Sequence, residues 1–457
     1  MELQVNETEL QVKCGEVVMV RPCFPSPKTT LYLSNLDDQP KLRFMARQIV
    51  VYKVGCNSNL LGDPAKVIRQ ALSKVLVHYY PIAGRLRSTH NGKLQVECNA
   101  EGVPFMAATS HNTLSVLGDC DDLKPSFHQL ISTIPFDAEN ANIYPLVLQV
   151  TRFSCGGFVL GYGLNHSICD GLGIGQFLNA LGEMARGFDK LSVQPIWDRE
   201  FLKPRNPQHV MFQHSELVTD SFISSFHEHE EFVHYFYFLD SKRIKQTKQL
   251  LMEECNENFS SFDIGAALVW RAMTKAYKIS DSQNVKLMFA MNSRKLFKPP
   301  VQNGYYGNCF YPVCATARAE ELHSISILLA TMTIKRSKLL LSDEYLRSGI
   351  DFVETSRQVL NEQVHVPMKN VLIMSDWRFL GSNTVDFGWG YSSIVSPIEW
   401  SGFFHANFVL LLPPPKGKDG IKILVCMPQT TLKLFAKEME VGILANSMKK
   451  DSQRSFL

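Results

Sequence analysis

Apolar residues recur at helical spacing after Asp63-Pro64: Val67, Ile68, Ala71, Leu72, Val75 and Leu76 fall on one face. A stripe of this kind is buried against a core. Asp63 offers an N-cap carboxylate, and Pro64 suits the first helical position. The helix is predicted to run into Tyr80-Pro-Ile-Ala-Gly-Arg85, where Pro and Gly end it. Residues 93–97 and 146–153 read as strands. Ser154-Cys-Gly156 then turns the chain into a second strand, 157–165, predicting an antiparallel hairpin. After Gly171 a second helix follows, with Leu172, Ile174, Phe177, Leu178, Leu181, Met184 and Ala185 on its buried side.

From Gly187 to about residue 213 periodicity weakens and prolines accumulate (Pro195, Pro204, Pro207), which marks a crossover linker. Beyond it the pattern predicts a strand at 232–239, helices at 241–255 and 263–277, and a strand at 285–291. Strands at 405–412 and 421–427 are joined through Asp419-Gly420, a hairpin signal, and a last amphipathic helix follows Pro428. The expectation is a mixed α/β protein in two halves of comparable size. Residues 1–190 form the N-terminal domain, 191–220 the crossover and 221–457 the C-terminal domain. A ligand site where two such halves meet is the usual arrangement.

Composition narrows the function classes. The 457 residues are 45% hydrophobic and 20% charged, which is globular rather than disordered or fibrous. A net charge of +3 excludes a strongly basic nucleic-acid binder but leaves room for a local groove that takes an anionic ligand. The acidic, polar N-terminus is unlike a signal or transit peptide, and no stretch reaches the roughly 18 apolar residues of a membrane span. Eleven scattered cysteines without a C-x-x-C pair read as reduced, mostly buried thiols in a cytoplasmic protein. The terminal Ser-Phe-Leu457 loosely resembles a peroxisomal address but lacks the central Lys.

Candidate chemistry centres on Asn165-His-Ser-Ile-Cys-Asp-Gly171. His166 stands at a strand-to-helix junction, a rigid support for a reactive side chain, with Asp170 four positions on. A chain with thirteen histidines shows roughly half such a match by chance, so the spacing alone decides little. One reading is a polar pair at a helix start, where the dipole favours an acid. The other is a general base with a carboxylate that braces its loop. The Gly after Asp170 suggests a tight turn that aims the carboxylate away from the imidazole. Arg294, at the end of the apolar strand Leu287-Met-Phe-Ala-Met-Asn-Ser-Arg294, is its candidate partner.

Asp386-Phe-Gly-Trp-Gly390, preceded by Ser375-Asp-Trp-Arg-Phe379, reads as a packed structural loop. Asn303-Gly-Tyr-Tyr-Gly-Asn308 is a tight turn that shapes a cleft wall. His227-Glu-His-Glu-Glu231 is not H-E-x-x-H and reads as a solvated acidic turn, so no metal site is expected. No G-x-S-x-G elbow, P-loop or dinucleotide fingerprint occurs, and Ser167 is not placed as a nucleophile.

His166-Ser-Ile-Cys-Asp-Gly171 together with Asp386-Phe-Gly-Trp-Gly390, in this order and about 220 residues apart, resembles the plant BAHD acyl-CoA-dependent acyltransferases. Tyr80-Pro-Ile-Ala-Gly-Arg85 and Tyr305-Tyr-Gly-Asn308 fall where that family has Y-P-x-A-G-R and Y-x-G-N. The likeness spans essentially the whole chain. Within the family it is most similar to taxane acyltransferases and their benzyl-alcohol-type relatives. The stretches that carry this include Arg21-Pro-Cys-Phe-Pro-Ser-Pro-Lys28 and Gly182-Glu-Met-Ala-Arg-Gly187.

The resemblance implies two chloramphenicol-acetyltransferase-like domains with a channel between them. It implies His166 as general base, Asp170 as the residue that fixes the loop through Arg294, and Asp386, Gly388 and Gly390 as structural. Trp377 and Ser375 match a segment that lines the tetrahedral intermediate, with Asp376 in place of a small polar residue. Acyl-CoA is then a co-substrate with no bound cofactor, and neither nucleic acid nor membrane is a partner; a monomer is expected. The acceptor expected is a bulky apolar alcohol of taxane type, on the strength of aromatic segments at Phe310, Tyr311, Phe403 and Phe404. A small benzylic or aliphatic alcohol, an amine acceptor, and a non-catalytic binder of the same fold stand as alternatives.

Overall fold

The structure, a computed structural model, describes residues 9–53, 62–120, 123–132, 143–218, 230–323, 326–362, 368–398 and 407–454. The chain forms two compact units. One comprises Met1–Pro207, Lys298–Cys309 and Phe379–Trp400, and the other Gln208–Phe297, Phe310–Arg378 and Ser401–Leu457. The sequence suggested contiguous halves with the Asp386 loop in the C-terminal one. The units instead interleave, and that loop belongs to the first. Backbone pairing is the reason: Ile394–Pro397 adds antiparallel to Met45–Tyr52, and Tyr305 bridges to Ile196.

The first unit is built on a six-stranded mixed sheet. In spatial order its strands are Lys13–Val20, Val103–Ser110, Leu146–Phe153, Phe158–Asn165, Met45–Tyr52 and Ile394–Pro397. The hairpin expected around Ser154-Cys-Gly156 is present, with Leu146–Phe153 antiparallel to Phe158–Asn165. Every residue of Phe158–Asn165 is buried, as suits a strand with neighbours on both edges and covered faces.

The Pro64–His78 helix lies over one face of this sheet. Asp63 caps it by accepting from the Ala65 N–H at 3.0 Å. Ile68, Leu72, Val75 and Leu76 are fully buried, while Val67 sits at the edge of the stripe. Each such side chain contributes about 1.5–3 kcal/mol by leaving water.

The second helix, Gly171–Ala185, packs beside the first. Its glycines have a packing explanation that periodicity did not reveal. A Cβ at Gly173 would stand 2.0 Å from the Tyr306 carbonyl oxygen, and one at Gly175 1.8 Å from that of Leu380. The helix therefore runs directly against the backbone of both inserted segments.

The second unit carries its own six-stranded mixed sheet. The strand order is Phe310–Arg318, Asn284–Asn292, Val371–Asp376, Phe408–Leu412, Gly420–Pro428 and Phe232–Asp240. The hairpin expected at Asp419-Gly420 joins Phe408–Leu412 to Gly420–Pro428. Ser261–Ala276, almost wholly buried, is its central helix, and the C-terminal helix Gln429–Arg454 packs on it. Phe310 and Tyr311 open the strand Phe310–Arg318. Phe403 and Phe404 lie outside the described residues, as do His227 and His229. Among the described residues no helix is long and apolar enough to cross a membrane, and no metal-ligating cluster forms.

Gly175→Ala should lower the midpoint of thermal unfolding, because the Leu380 backbone cannot retreat as a flexible side chain would. Overpacking of this kind costs about 1–3 kcal/mol. A variant that melts with the parent protein would show that the helix can shift away from the 379–400 segment.

Candidate active site

His166 follows the last residue of the buried strand Phe158–Asn165, where the chain turns before entering the helix. Local hydrogen bonds shape that turn. The Ser167 N–H donates to Asn165 Oδ1 at 3.1 Å, the Ile168 N–H to the Asn165 carbonyl, and the His166 N–H to the Phe44 carbonyl at 2.9 Å. The Phe44 ring lies 5.4 Å from the imidazole, centroid to centroid. Nδ1 of His166 is buried while the residue as a whole keeps partial exposure.

Burial pushes the imidazole below its ordinary pKa, against the opposing pull of its own carbonyl, Asp170, Asn308 and Asp37. The neutral ring is thereby favoured. A neutral, partly accessible imidazole can accept a proton from a hydroxyl.

Asp170 is the N-cap of the Gly171–Ala185 helix. Its Oδ1 accepts from the Gly173 N–H at 2.9 Å, and its Oδ2 from the Cys309 N–H at 3.0 Å. One carboxylate thus joins the turn, the helix start and the inserted 298–309 segment. Arg294, the candidate partner of Asp170, follows the strand Asn284–Asn292. There its backbone N–H and its guanidinium reach Asn292 Oδ1 at 3.2 and 3.4 Å.

Three further residues hold the turn. Asn308 Nδ2 donates to the His166 carbonyl at 2.8 Å and to Asp37 Oδ1 at 2.9 Å. Arg199, fully buried, donates to the Ile168 carbonyl at 2.6 Å and pairs with Asp37 Oδ2 at 3.2 Å. Sequence reasoning missed Asp37 and Arg199. Ser34-Asn-Leu-Asp-Asp38 resembles a solvated turn, and Arg199 sits in the Pro-rich crossover. Only contacts 162 and 271 residues apart reveal what they do. A signal did exist at Asn308, in the Tyr305-Tyr-Gly-Asn308 segment, but it pointed to a cleft wall.

Asp386 closes its own loop. Its Oδ1 accepts from the N–H groups of Gly388 and Gly390 at 2.7 and 2.8 Å, and its Oδ2 pairs with Arg186 at 3.4 Å. Gly388 and Gly390 have φ of 106° and 87°, the left-handed region open to glycine. Tyr52, inside the sheet, donates to the Val385 carbonyl.

In the second unit Ser375 and Trp377 stand at the end of the strand Val371–Asp376. The Trp377 indole N–H donates to Ser375 Oγ at 3.1 Å. Asp376, which departs from the family's small polar residue, is neutralised by a two-pronged pair with Arg378, at 2.8 and 2.5 Å. Ser167 Oγ turns inward to the Leu42 carbonyl, away from any role as nucleophile.

The chain matches the Transferase family over residues 10–441. It belongs to this family, the BAHD acyltransferases. It is 43% identical over 440 residues to taxadien-5-alpha-ol O-acetyltransferase of Taxus chinensis, covering 95% of this chain and 98% of the relative. It is 44% identical to 3'-N-debenzoyl-2'-deoxytaxol N-benzoyltransferase of Taxus canadensis, over 96% and 98%. Benzyl alcohol O-benzoyltransferase of Petunia hybrida is 32% identical over 99% and 98%. Among solved structures, vinorine synthase superposes with a TM-score of 0.71 at 24% identity, covering 93% of this chain and 96% of its own. The fold is therefore that of the BAHD enzymes, and the protein is an acyltransferase.

In this acyltransferase Asp386→Ala leaves two backbone donors and Arg186 without their acceptor. Loss of a hydrogen-bonded charge costs about 1–3 kcal/mol. The expected outcome is a lower melting temperature. A variant with unchanged melting and unchanged acyl-CoA affinity would remove the structural role of the loop.

Proposed function

We propose that this acyltransferase moves an acyl group directly from a CoA thioester to a hydroxyl, with His166 as general base and no covalent enzyme intermediate. The observation that carries this reading is the partly accessible imidazole of His166 at the strand-to-helix turn, where burial favours the neutral ring.

The acceptor O–H gives its proton to the imidazole as its oxygen attacks the thioester carbonyl carbon. With Nδ1 on the buried side, Nε2 is the nitrogen for this work. The tetrahedral oxyanion collapses with cleavage of the C–S bond, and the imidazolium returns the proton to the departing thiolate. The products are the ester and the free thiol of CoA. A thiol with a pKa near 8.5 leaves readily. For the oxyanion, the Trp377 N–H and the Ser375 hydroxyl are the candidate donors that the sequence offers. Holding both substrates in line supplies much of the remaining rate.

The acceptor we favour is a bulky, largely apolar polyol of taxane type. Taxus relatives above 40% identity whose names give taxane acceptors support this choice. A second reading, an amine acceptor, is supported by the N-benzoyltransferase at 44% identity. The same base would serve, since an amine nucleophile must also lose a proton. One acyl-CoA donor offered with matched taxane alcohols and amines separates the two, and acetyl- and benzoyl-CoA compared on the preferred acceptor identify the donor.

His166→Ala should lower kcat by a hundred- to ten-thousand-fold with acyl-CoA affinity retained, the usual effect of removing a general base. Near-normal turnover of the purified variant would end this mechanism. The acid limb of kcat/KM reports the free enzyme's base. It should lie below the ordinary histidine value of about 6.5, since burial lowers the His166 pKa and the neutral form persists into mild acid. An acid limb above that value would contradict it.

A further inference from the structure

The first unit encloses a charged pair that hydrophobic packing would not call for. Arg199 and Asp37 are both fully buried, and their side chains meet at 3.2 Å. A buried ion pair is a poor stabiliser, because desolvation offsets much of its attraction. Its partners show what it does.

Asp37 is saturated. Its Oδ2 accepts from the Ser34 N–H, the Ser34 hydroxyl at 2.7 Å and Arg199 Nε, and its Oδ1 from the Asn308 N–H at 2.8 Å and Nδ2 at 2.9 Å. Arg199 sends its other donors to the Trp197 carbonyl at 2.8 Å and the Ile168 carbonyl at 2.6 Å. Its guanidinium stacks over Trp197 at 3.8 Å and lies near the rings of Tyr305 and Tyr306. A Cβ on Gly307 would stand 2.6 Å from the guanidinium carbon, so the 304–309 turn is laid directly on it. Asn308, fixed twice by Asp37, spends its remaining amide proton on the His166 carbonyl.

Two of the three carbonyls from His166 to Ile168 are therefore held by donors whose own positions Asp37 sets. We propose that Asp37, Arg199 and Asn308 are positioning residues for acyl transfer: they fix the backbone of the His166 turn so that the imidazole is presented in one orientation. The assignment rests on His166 as general base. None of the three need touch substrate; they act through the main chain beneath the ring, as Asp170 does from its other end.

The test compares Asn308→Ala and the isosteric Asp37→Asn with His166→Ala and the parent, each purified and checked for folding by thermal melting. Displacement of a catalytic group by about 1 Å costs on the order of a hundredfold. Both positioning variants should therefore lose roughly ten- to a hundredfold in kcat, with KM for acyl-CoA and acceptor changed little.

The pH profile adds a readout that a merely structural role would not move. Two carboxylates, Asp170 and Asp37, raise the His166 pKa against burial. Asn308 raises it as well, so removing either the Asn308 amide or the Asp37 charge should shift the acid limb of kcat/KM to lower pH. A folded Asn308→Ala with kcat within twofold of the parent overturns the proposal. So does failure of both variants to fold, which would make the cluster a folding element only. If His166→Ala keeps its activity, the base assignment falls first. If it is inactive while Asn308→Ala is fully active, only the positioning role is lost.

Discussion

One carboxylate ties together the parts on which the His166 turn depends. Asp170 divides its two oxygens between the Gly173 N–H at the start of a helix and the Cys309 N–H on a segment 139 residues later in the chain. The first bond meets an orphan donor of the helix terminus, and the dipole there favours the negative charge. The second recruits a distant piece of backbone to the same point. Without such a junction, the four residues between His166 and the helix would be an ordinary surface turn. With it, they form a short bridge anchored at both ends.

Close approach of backbone to backbone is the second requirement, and it explains why the helix after the turn is rich in glycine. Gly173 faces the Tyr306 carbonyl and Gly175 the Leu380 carbonyl at separations that no Cβ could share. The helix thus gives up some intrinsic propensity, about 1 kcal/mol per glycine, to let two inserted segments reach the first unit. Those segments bring Asn308 to the His166 carbonyl and the Asp386 loop to Arg186. Asp386 bears on the His166 turn through this packing. Its own bonds go to Gly388, Gly390 and Arg186.

Polarity in the interior follows the same logic. Burial favours the neutral imidazole, yet a desolvated turn exposes carbonyls that must find donors. Arg199 and Asn308 are those donors, and Asp37 neutralises the cation. A charged core beneath the turn is thus consistent with the chemistry proposed above it, and stability alone would not select it.

Much of this molecule was legible in residue order. The stripe after Asp63, the hairpin around Gly156 and the helix beginning at Gly171 are local properties, set by spacing and turn chemistry over a few residues. His166 and Asp170 could be singled out because they sit on such a local junction. Only the folded chain could decide which unit the segments 298–309 and 379–400 join, because strand pairing across hundreds of residues carries no local signature. Nor could residue order distinguish Asp37 and Arg199 from solvated loop charges. Burial and long-range pairing make them what they are, and both are properties of the tertiary structure.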